Sequence, residues 1–169
     1  MNSIKVQSER LKIVKFSSDM VESVYHNSHD ENTKRFIPDE YFETIEEARE
    51  VVEYFMSNYG NNDVPQVYPI VLNSGENIGY IQAVPIDDGK YEIGYHIAEK
   101  YTGKGYATEA LNVFLPFIMN ELKIQSIYGI CNADNIGSRK VLEKCGFKLL
   151  NEDITSADNE KICEYIYTI

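Results

Sequence analysis

The 169-residue chain has no tryptophan and only three cysteines, three histidines and five prolines, and the shortages exclude several classes of protein. Cys131, Cys145 and Cys163 are odd in number and form no Cys-x-x-Cys pair, so their spacing supports neither a disulfide framework nor a zinc site. Reduced, partly buried thiols are expected, and with them a cytoplasmic protein. His26 and His29 stand three apart beside Asp30 and Glu31, but histidines spaced this way on a helix surface rarely bind metal, and no metal is expected. No run approaches the roughly 18 uninterrupted apolar residues of a membrane span. The opening Met1-Asn2-Ser3-Ile4-Lys5 lacks the apolar stretch of a signal peptide. Positive charge is scarce as well: 16 Lys and Arg face 27 Asp and Glu, a formal net charge of −11. That balance argues against capture of nucleic acid or of an anionic membrane surface. No repeat, low-complexity tract or Pro/Gly-rich linker divides the chain, so one domain over residues 1–169 is expected.

What is present is a patterned globular sequence, 43% apolar, enough to bury a core without covalent staples. Residues 11–16 alternate and read as a first strand, and Ser17-Ser18-Asp19 offers cap chemistry for a helix through about residue 25. Thr44-Ile45-Glu46-Glu47 fits a capping box, and Ile45, Ala48, Val52, Phe55 and Tyr59 follow at helical spacing, predicting a helix over 44–59. Its other face, Glu46, Glu47, Glu50 and Glu53, forms with Asp39, Glu40 and Glu43 the most acidic part of the chain, either a solvated face or an acidic wall beside a cationic substrate. Strands are expected at 67–72, 78–84 and 91–98, joined by turns at Asn73-Ser74-Gly75-Glu76 and Asp87-Asp88-Gly89-Lys90. Pro69 cannot donate to a ladder, which marks its strand as an edge or as bulged there. A helix over 105–120, kinked at Pro116, precedes a strand at 124–131, a helix at 136–144 and a closing hairpin of 147–150 with 162–168. Antiparallel strands followed by strand–helix–strand make an α+β domain whose later strands pair partly in parallel through a crossover helix.

Chemistry concentrates where the strand ending in Tyr95-His96-Ile97-Ala98 meets Glu99-Lys100-Tyr101-Thr102-Gly103-Lys104-Gly105-Tyr106-Ala107-Thr108. Two glycines one residue apart, just before a helix, allow consecutive backbone N–H groups to face an anion that the helix dipole also favours. The segment is not a Walker A loop, and it lacks the third glycine and the preceding βαβ unit of a dinucleotide fingerprint. Alone, a Gly-x-Gly turn is as readily a tight connection. A second segment, from Asn132-Ala133-Asp134-Asn135 through Ser138 to Lys144-Cys145-Gly146-Phe147, begins with helix-capping residues and ends with a glycine suited to a helix terminus.

Together the two segments resemble the GNAT N-acetyltransferase superfamily, most closely its branch of ribosomal-protein alanine acetyltransferases. Thr102 to Ala107 aligns with the family's Gln/Arg-x-x-Gly-x-Gly/Ala signature. The run from Gly105 to Ala110, the pattern Asn135, Ser138, Lys144, Gly146-Phe147, and the opening Ser8-Glu9-Arg10-Leu11 match as well. The resemblance implies a single-domain α+β fold. Its central mixed, mostly antiparallel sheet would have about seven strands, helices on both faces and a V-shaped splay between the strands ending near Ala98 and Cys131. It also implies acetyl-CoA as co-substrate in that V, its pantetheine along the backbone of Tyr95 and Ile97. The pyrophosphate would rest on the amides of Gly103, Lys104, Gly105, Tyr106, Ala107 and Thr108. Asn135 would bond the pantetheine, Ser138 would approach the sulfur, and Lys144 belongs to the same segment. Lys100, Lys104, Arg139, Lys140 and Lys144 would form a cationic rim, unless they are merely a solvated face.

The reaction implied is attack of a primary amine on the thioester in a ternary complex, with no covalent enzyme intermediate. An amine with pKa near ~10 arrives as ammonium and needs a proton acceptor, directly or through one water. Glu92 is the first candidate base and His96 the second. A backbone amide near Ile97 would meet the oxyanion. Thr102 replaces the signature's Gln/Arg without removing the backbone cradle. Leu142 stands where many relatives carry a tyrosine acid, so protonation of the thiolate falls to Ser138, to water, or to neither. The acceptor, a protein N-terminus or a small cationic amine, is left open, with Tyr41, Tyr68 and Tyr80 and the stretches 30–45 and 64–70 as candidate lining. A homodimer is compatible with the resemblance. The competing function is a catalytically silent acyl-CoA sensor.

Overall fold

Alternating apolar residues build eight strands, and these lie in one sheet. The computed structural model describes residues 3–169, the side chain of Asp153 excepted. Its strands are β1 Ile4–Gln7, β2 Leu11–Val14, β3 Gln66–Leu72, β4 Asn77–Ile86, β5 Lys90–Ile97, β6 Ser126–Asn132, β7 Lys148–Thr155 and β8 Lys161–Thr168. Their order across the sheet is β1-β2-β3-β4-β5-β6-β8-β7. Every neighbouring pair is antiparallel except β5 with β6, which the crossover helix makes parallel. The expected seven strands become eight because β1 is a four-residue edge whose Ile4 is left exposed, too short to show an alternation. Pro69 lies in an interior strand rather than at an edge. The β2 ladder ends opposite Ile70, one residue short of it, and a bulge follows between Ile70 and Val71 on the β4 side, so its missing N–H breaks no pair with β2.

Helices cover both faces. On one face α4 (Tyr106–Leu122) packs Ala110, Leu111, Phe114, Leu115, Ile118 and Met119 against Ile13, Ile70, Ile81, Ile93 and Ile127, with α5 (Ile136–Lys144) beside it. On the other, α1 (Val21–Asn27) and α3 (Ile45–Asn58) bury Val21, Ala48 and Val52 over Val14, Val67 and Val71. Half of the capping box at α3 forms, Thr44 Oγ1 accepting the Glu47 amide at 3.2 Å, while the Glu47 carboxylate reaches one residue past the cap to accept the Glu43 amide at 2.8 Å. α1 is shorter than the pattern suggested. Ser17 donates its hydroxyl to Asp19 instead of capping, a 3-10 turn intervenes over Ser18–Met20, and the helix begins only at Val21. A further short helix, α2 (Glu31–Phe36), is capped by Asp30, whose carboxylate accepts the Thr33 amide at 2.8 Å. It has no apolar stripe, and for that reason the sequence did not reveal it. α5 ends in a Schellman motif at Gly146 (φ 89°): Phe147 N–H reaches Leu142 O at 3.0 Å and Gly146 N–H reaches Glu143 O at 3.1 Å. No helix among the described residues is long and apolar enough to cross a membrane.

The site is created by what β5 and β6 do not do. Their parallel ladder comprises Glu92 opposite Tyr128 and Ile93 opposite Gly129, and then the strands part. Ala98 N–H bonds Ile78 O at 2.9 Å across from β4. By the two-residue alternation of antiparallel pairing, His96 and Gly94 also turn their peptide groups to β4, while Tyr95 and Ile97 turn theirs to the opening. On β4, Gly79 (φ 153°) allows this close approach, since a Cβ there would lie 1.9 Å from the His96 carbonyl oxygen. Gly79→Ala is therefore expected to lower the urea midpoint by an amount equivalent to about 1–3 kcal/mol, as overpacking does; an unchanged midpoint would show that β4 and β5 can separate there freely.

Candidate active site

The turn after β5 is shaped for an anion. Gly103 (φ 74°) and Gly105 (φ 81°) both occupy the left-handed region, which reverses the chain and starts α4. Among the described residues, no protein acceptor receives the amides of Gly103, Lys104, Gly105, Tyr106, Ala107 or Thr108, whereas Thr102 N–H is spent on Glu99 O at 3.1 Å and Glu109 N–H on Gly105 O at 3.0 Å. Those amides stand at the positive end of a 17-residue helix. The chain's opening segment braces them. Arg10 pairs with Glu109 (Nε–Oε2, 2.6 Å), donates to Lys104 O at 3.0 Å and lies 4.5 Å over the Tyr106 ring. Ser8 Oγ and Arg10 N–H add bonds of 2.6 and 3.0 Å to the same carboxylate. Ser8-Glu9-Arg10 and the Gly105–Ala110 run thus form one structural unit.

Beside this turn lies a cleft of about 650 Å³, running between β5 and α5. Tyr95, Ile97, Gly103, Gly105, Tyr106, Ala107, Thr108, Asn135, Ser138 and Lys144 all line it. The volume and the row of unspent donors suit an extended anionic molecule such as a pantetheine nucleotide. Asn135 caps α5 through Oδ1, which accepts the Ser138 amide at 3.1 Å. The Tyr95 hydroxyl meets Ser138 Oγ at 3.0 Å and Ser138 O at 3.1 Å, and burial holds that phenol well above its usual pKa. The cationic rim is thinner than the sequence suggested. Lys140 and Lys144 line the cleft. Lys100 turns to Glu76 (3.5 Å), the Lys104 side chain to Lys100 O (3.3 Å), and Arg139 to Glu152 (2.5 Å) and Tyr165.

At its inner end the cleft meets a cavity of about 220 Å³ through shared walls at Phe36, Ile37, Tyr95, Asn135 and Ser138. Glu92 lines this cavity, with burial alone raising its pKa to about 7. Gln82 crosses the strand to lie over Gly94, where a Cβ would meet Gln82 Nε2 at 2.8 Å. Glu40 lines the same cavity; burial raises its pKa, the Tyr80 hydroxyl opposes that rise and Asp39 adds to it. Leu142 is buried against Gly129 and closes the cavity's far side. Cys131 reaches the cavity too, its thiol raised to about 11 by burial and so held protonated.

His96 lines the cleft as well, with its ring tied into the fold. Its Nε2 lies 3.2 Å from Thr33 Oγ1, 3.4 Å from Asn27 O and 3.6 Å from Asp30, and its side chain is 10% exposed. Burial lowers its pKa, against the pull of Asp30. Asp30 itself is raised by burial, yet the amides of Thr33 and Glu99 prevail and hold it below the carboxylate norm. His96 therefore ties β5 to α1 and α2, on the sheet face that also carries Glu92. Of the three tyrosines considered for the acceptor side, Tyr80 lines the cavity. Tyr68 is buried against Phe114 and Phe117, and Tyr41 stacks on His29 at 4.6 Å. His29 Nε2 is engaged by Phe42 O at 2.6 Å. Within 64–70 only Val67 reaches a cavity on this side, because that stretch is mostly strand. Glu40, one of the acidic residues the sequence offers as a wall beside a cationic substrate, is the one of that group that lines the Glu92 cavity, whereas the sequence reading does not single out the Tyr95 hydroxyl or the Arg10–Glu109 brace. The brace has a signal, an Arg and a Glu in two segments that both carry the family resemblance.

Residues 10–148 match the acetyltransferase (GNAT) domain family. The uncharacterized N-acetyltransferase YnaD of Bacillus subtilis is 29% identical over 97% of this chain and 95% of its own. The crystal structure of a GNAT-family acetyltransferase from Bacillus anthracis is similar with a TM-score of 0.79 at 30% identity, over 100% of this chain and 98% of that one. The ribosomal L7/L12 alpha-N-protein acetyltransferase RimL, in complex with coenzyme A, shares the fold at 18% identity, with a TM-score of 0.83 over 99% of this chain and 98% of that one.

The brace has a measurable consequence. Arg10→Ala leaves the Glu109 carboxylate uncompensated in the first turn of α4, facing the same amides as the anion, so the Kd for acetyl-CoA by calorimetry should rise about tenfold. The double variant with Glu109→Gln should recover most of that loss; equal affinities in all three proteins would remove the brace from the site.

Proposed function

Because the chain belongs to the GNAT acetyltransferase family, we propose that it moves the acetyl group of acetyl-CoA onto a primary amine by direct attack in a ternary complex, with Glu92 as base. That the chain is an N-acetyltransferase follows from the family; the acceptor and the residue roles are the proposal. The observation that carries it is the junction of two spaces. A cleft beside six unspent amides meets, at Tyr95, Asn135 and Ser138, a small cavity holding a half-buried carboxylate.

Each residue then has a task. The amides of 103–108 hold the diphosphate, and the open peptide groups of Tyr95 and Ile97 align the pantetheine. Asn135 reaches the pantetheine with the side-chain nitrogen that capping leaves free. Glu92, with a pKa near 7, takes a proton from the ammonium, directly or through one water. The amine lone pair forms the N–C bond, and the Ile97 amide meets the oxygen that becomes negative. As the C–S bond breaks, Ser138 Oγ, held by Tyr95, donates a hydrogen bond to the sulfur, and the second proton on the nitrogen passes to the departing thiolate, directly or through water. A thiol of pKa ~8.5 is a tolerable leaving group with that help alone. The cytoplasm, with its reducing poise, is the setting proposed for a chain whose described cysteines are all free.

Glu92 gives the proposal its test. For wild type, kcat/KM should climb with pH through about 7 as the carboxylate ionises. Glu92→Gln should lose roughly 10²-fold or more at pH 8 and lose that inflection, while the Kd for acetyl-CoA stays put. Stability gives a second reading. A folded pKa above the free value of 4.5 means the native state binds the proton more tightly, so that stability is present below 4.5 and lost as pH rises through about 7. The melting temperature of Glu92→Gln minus that of wild type should thus grow across that window and level off above it. An unaltered pH profile would take the base role from Glu92, and saturable acetyl-CoA binding with no turnover of any amine would favour the silent sensor.

A further inference from the structure

On the α1/α3 side of the sheet, the Glu92 cavity adjoins a second chamber of about 260 Å³. Ile37, Glu40, Tyr80 and Gln82 line both spaces and form the threshold between them. Beyond the threshold the walls are Phe16, Val24, Phe42, Val51, Phe55 and Val67. Most polar residues on those walls are already spent inside the protein. Asn27 Nδ2 donates to Asn77 O at 3.0 Å, Asn77 Nδ2 to Ser23 Oγ at 3.0 Å, Ser28 Oγ to Tyr25 O at 2.8 Å, and Thr33 Oγ1 to Asp30 at 2.8 Å. Asp39 and His96 complete the lining, with His96 Nε2 engaged by Thr33 Oγ1 and Asn27 O, so the interior offers a guest a mainly apolar surface while its entrance carries a carboxylate. The volume is also telling. An apolar cavity of about 150 Å³ already accepts benzene, so this chamber has room for an aromatic ring and a short linker.

A cation at the threshold and an apolar group behind it describe one molecule. We propose that the acceptor is a primary amine bearing an apolar group about the size of an aromatic ring, that group seated in the chamber and its ammonium held by Glu40 beside Glu92. This rests on the acetyl-transfer reading above and narrows it. Glu40 binds the ammonium as a charged hydrogen-bond acceptor, with Tyr80 orienting the carboxylate, and Glu92 removes the proton once the nitrogen faces the thioester. A polyamine or an aminoglycoside would bring further charges and hydroxyls against Phe42, Val51 and Phe55, where no polar partner compensates their lost hydration. A peptide beginning in Ala or Ser would leave most of the chamber empty.

The test is a steady-state panel with acetyl-CoA saturating and released thiol as the readout: 2-phenylethylamine, n-propylamine, spermidine and a peptide beginning Ser-Ile. The phenylethylamine kcat/KM should exceed the other three by about 10–200-fold, the range that hydrophobic fit commands. Val51→Phe, which fills the chamber, should lower the ratio of phenylethylamine to propylamine kcat/KM at least about tenfold. Glu40→Gln should raise the KM for phenylethylamine more than it lowers kcat. Equal or better turnover of spermidine or of the peptide in wild type overturns the chamber assignment and leaves acetyl transfer standing. So does a Val51→Phe ratio equal to the wild-type ratio. Acetyl-CoA binding without turnover of any of the four overturns both readings.

Discussion

Between β5 and β6 a parallel ladder lasts for two residue pairs and then opens, and nearly every feature of the site follows from that interruption. A buried strand normally spends each peptide group on a neighbour, because an unpaired one away from water is costly. Past Ile93 and Gly129 the neighbour departs, so the peptide groups of Tyr95 and Ile97 face a gap. Pairing with β4 prevents them from turning elsewhere. The gap needs an extended partner that supplies donors and acceptors along its length. The same divergence leads the chain from β5 into the glycine turn, so the unpaired strand edge and the unspent helix amides belong to one continuous cleft.

Charge is handled unusually for a protein of net charge −11 that we propose holds a polyanion. Several cations near the cleft are committed to carboxylates or carbonyls, and the anion site relies chiefly on peptide dipoles, with Lys140 and Lys144 at its rim. Dipoles fixed in a turn need no reorganisation on binding, which suits a site that must release its product. The acidic residues divide by burial. Those on the outer face of α3 are solvated, while Glu40 and Glu92 line the inner cavity, where desolvation raises both pKa values and brings that of Glu92 to about 7, where a carboxylate can exchange protons near neutrality.

Much of this was legible in the residues, and the boundary between what was and what was not is physical. α3 and α4 carry broad apolar stripes and were read within a residue or two, as was the Gly146 terminus, whose geometry depends on one residue type. The glycine turn after β5 was legible because left-handed backbone demands glycine at 103 and 105. β1 and α2 were not, since one is a short half-buried edge and the other is held by a cap rather than by an apolar face. Pro69 was half legible: its strand lies inside the sheet rather than at an edge, while a bulge follows it between Ile70 and Val71 and the residue itself lies past the end of the β2 ladder. Glu40 was legible only as one member of an acidic stretch beside a possible cationic substrate. Among Asp39, Glu40 and Glu43 nothing local marks which carboxylate the chain folds inward; only the packing of α2 and the turn after it against β4 decides that.

The central assignment is that the amides of residues 103–108 are the donors for the diphosphate of acetyl-CoA. Hydrogen–deuterium exchange of those six amides, followed residue by residue with and without saturating acetyl-CoA, measures this directly. Exchange slowed by about tenfold or more at Gly103, Gly105 and the first turn of α4 is expected, since an amide bonded to a bound anion must wait for release. Exchange at those positions that is unchanged by saturating acetyl-CoA would contradict it.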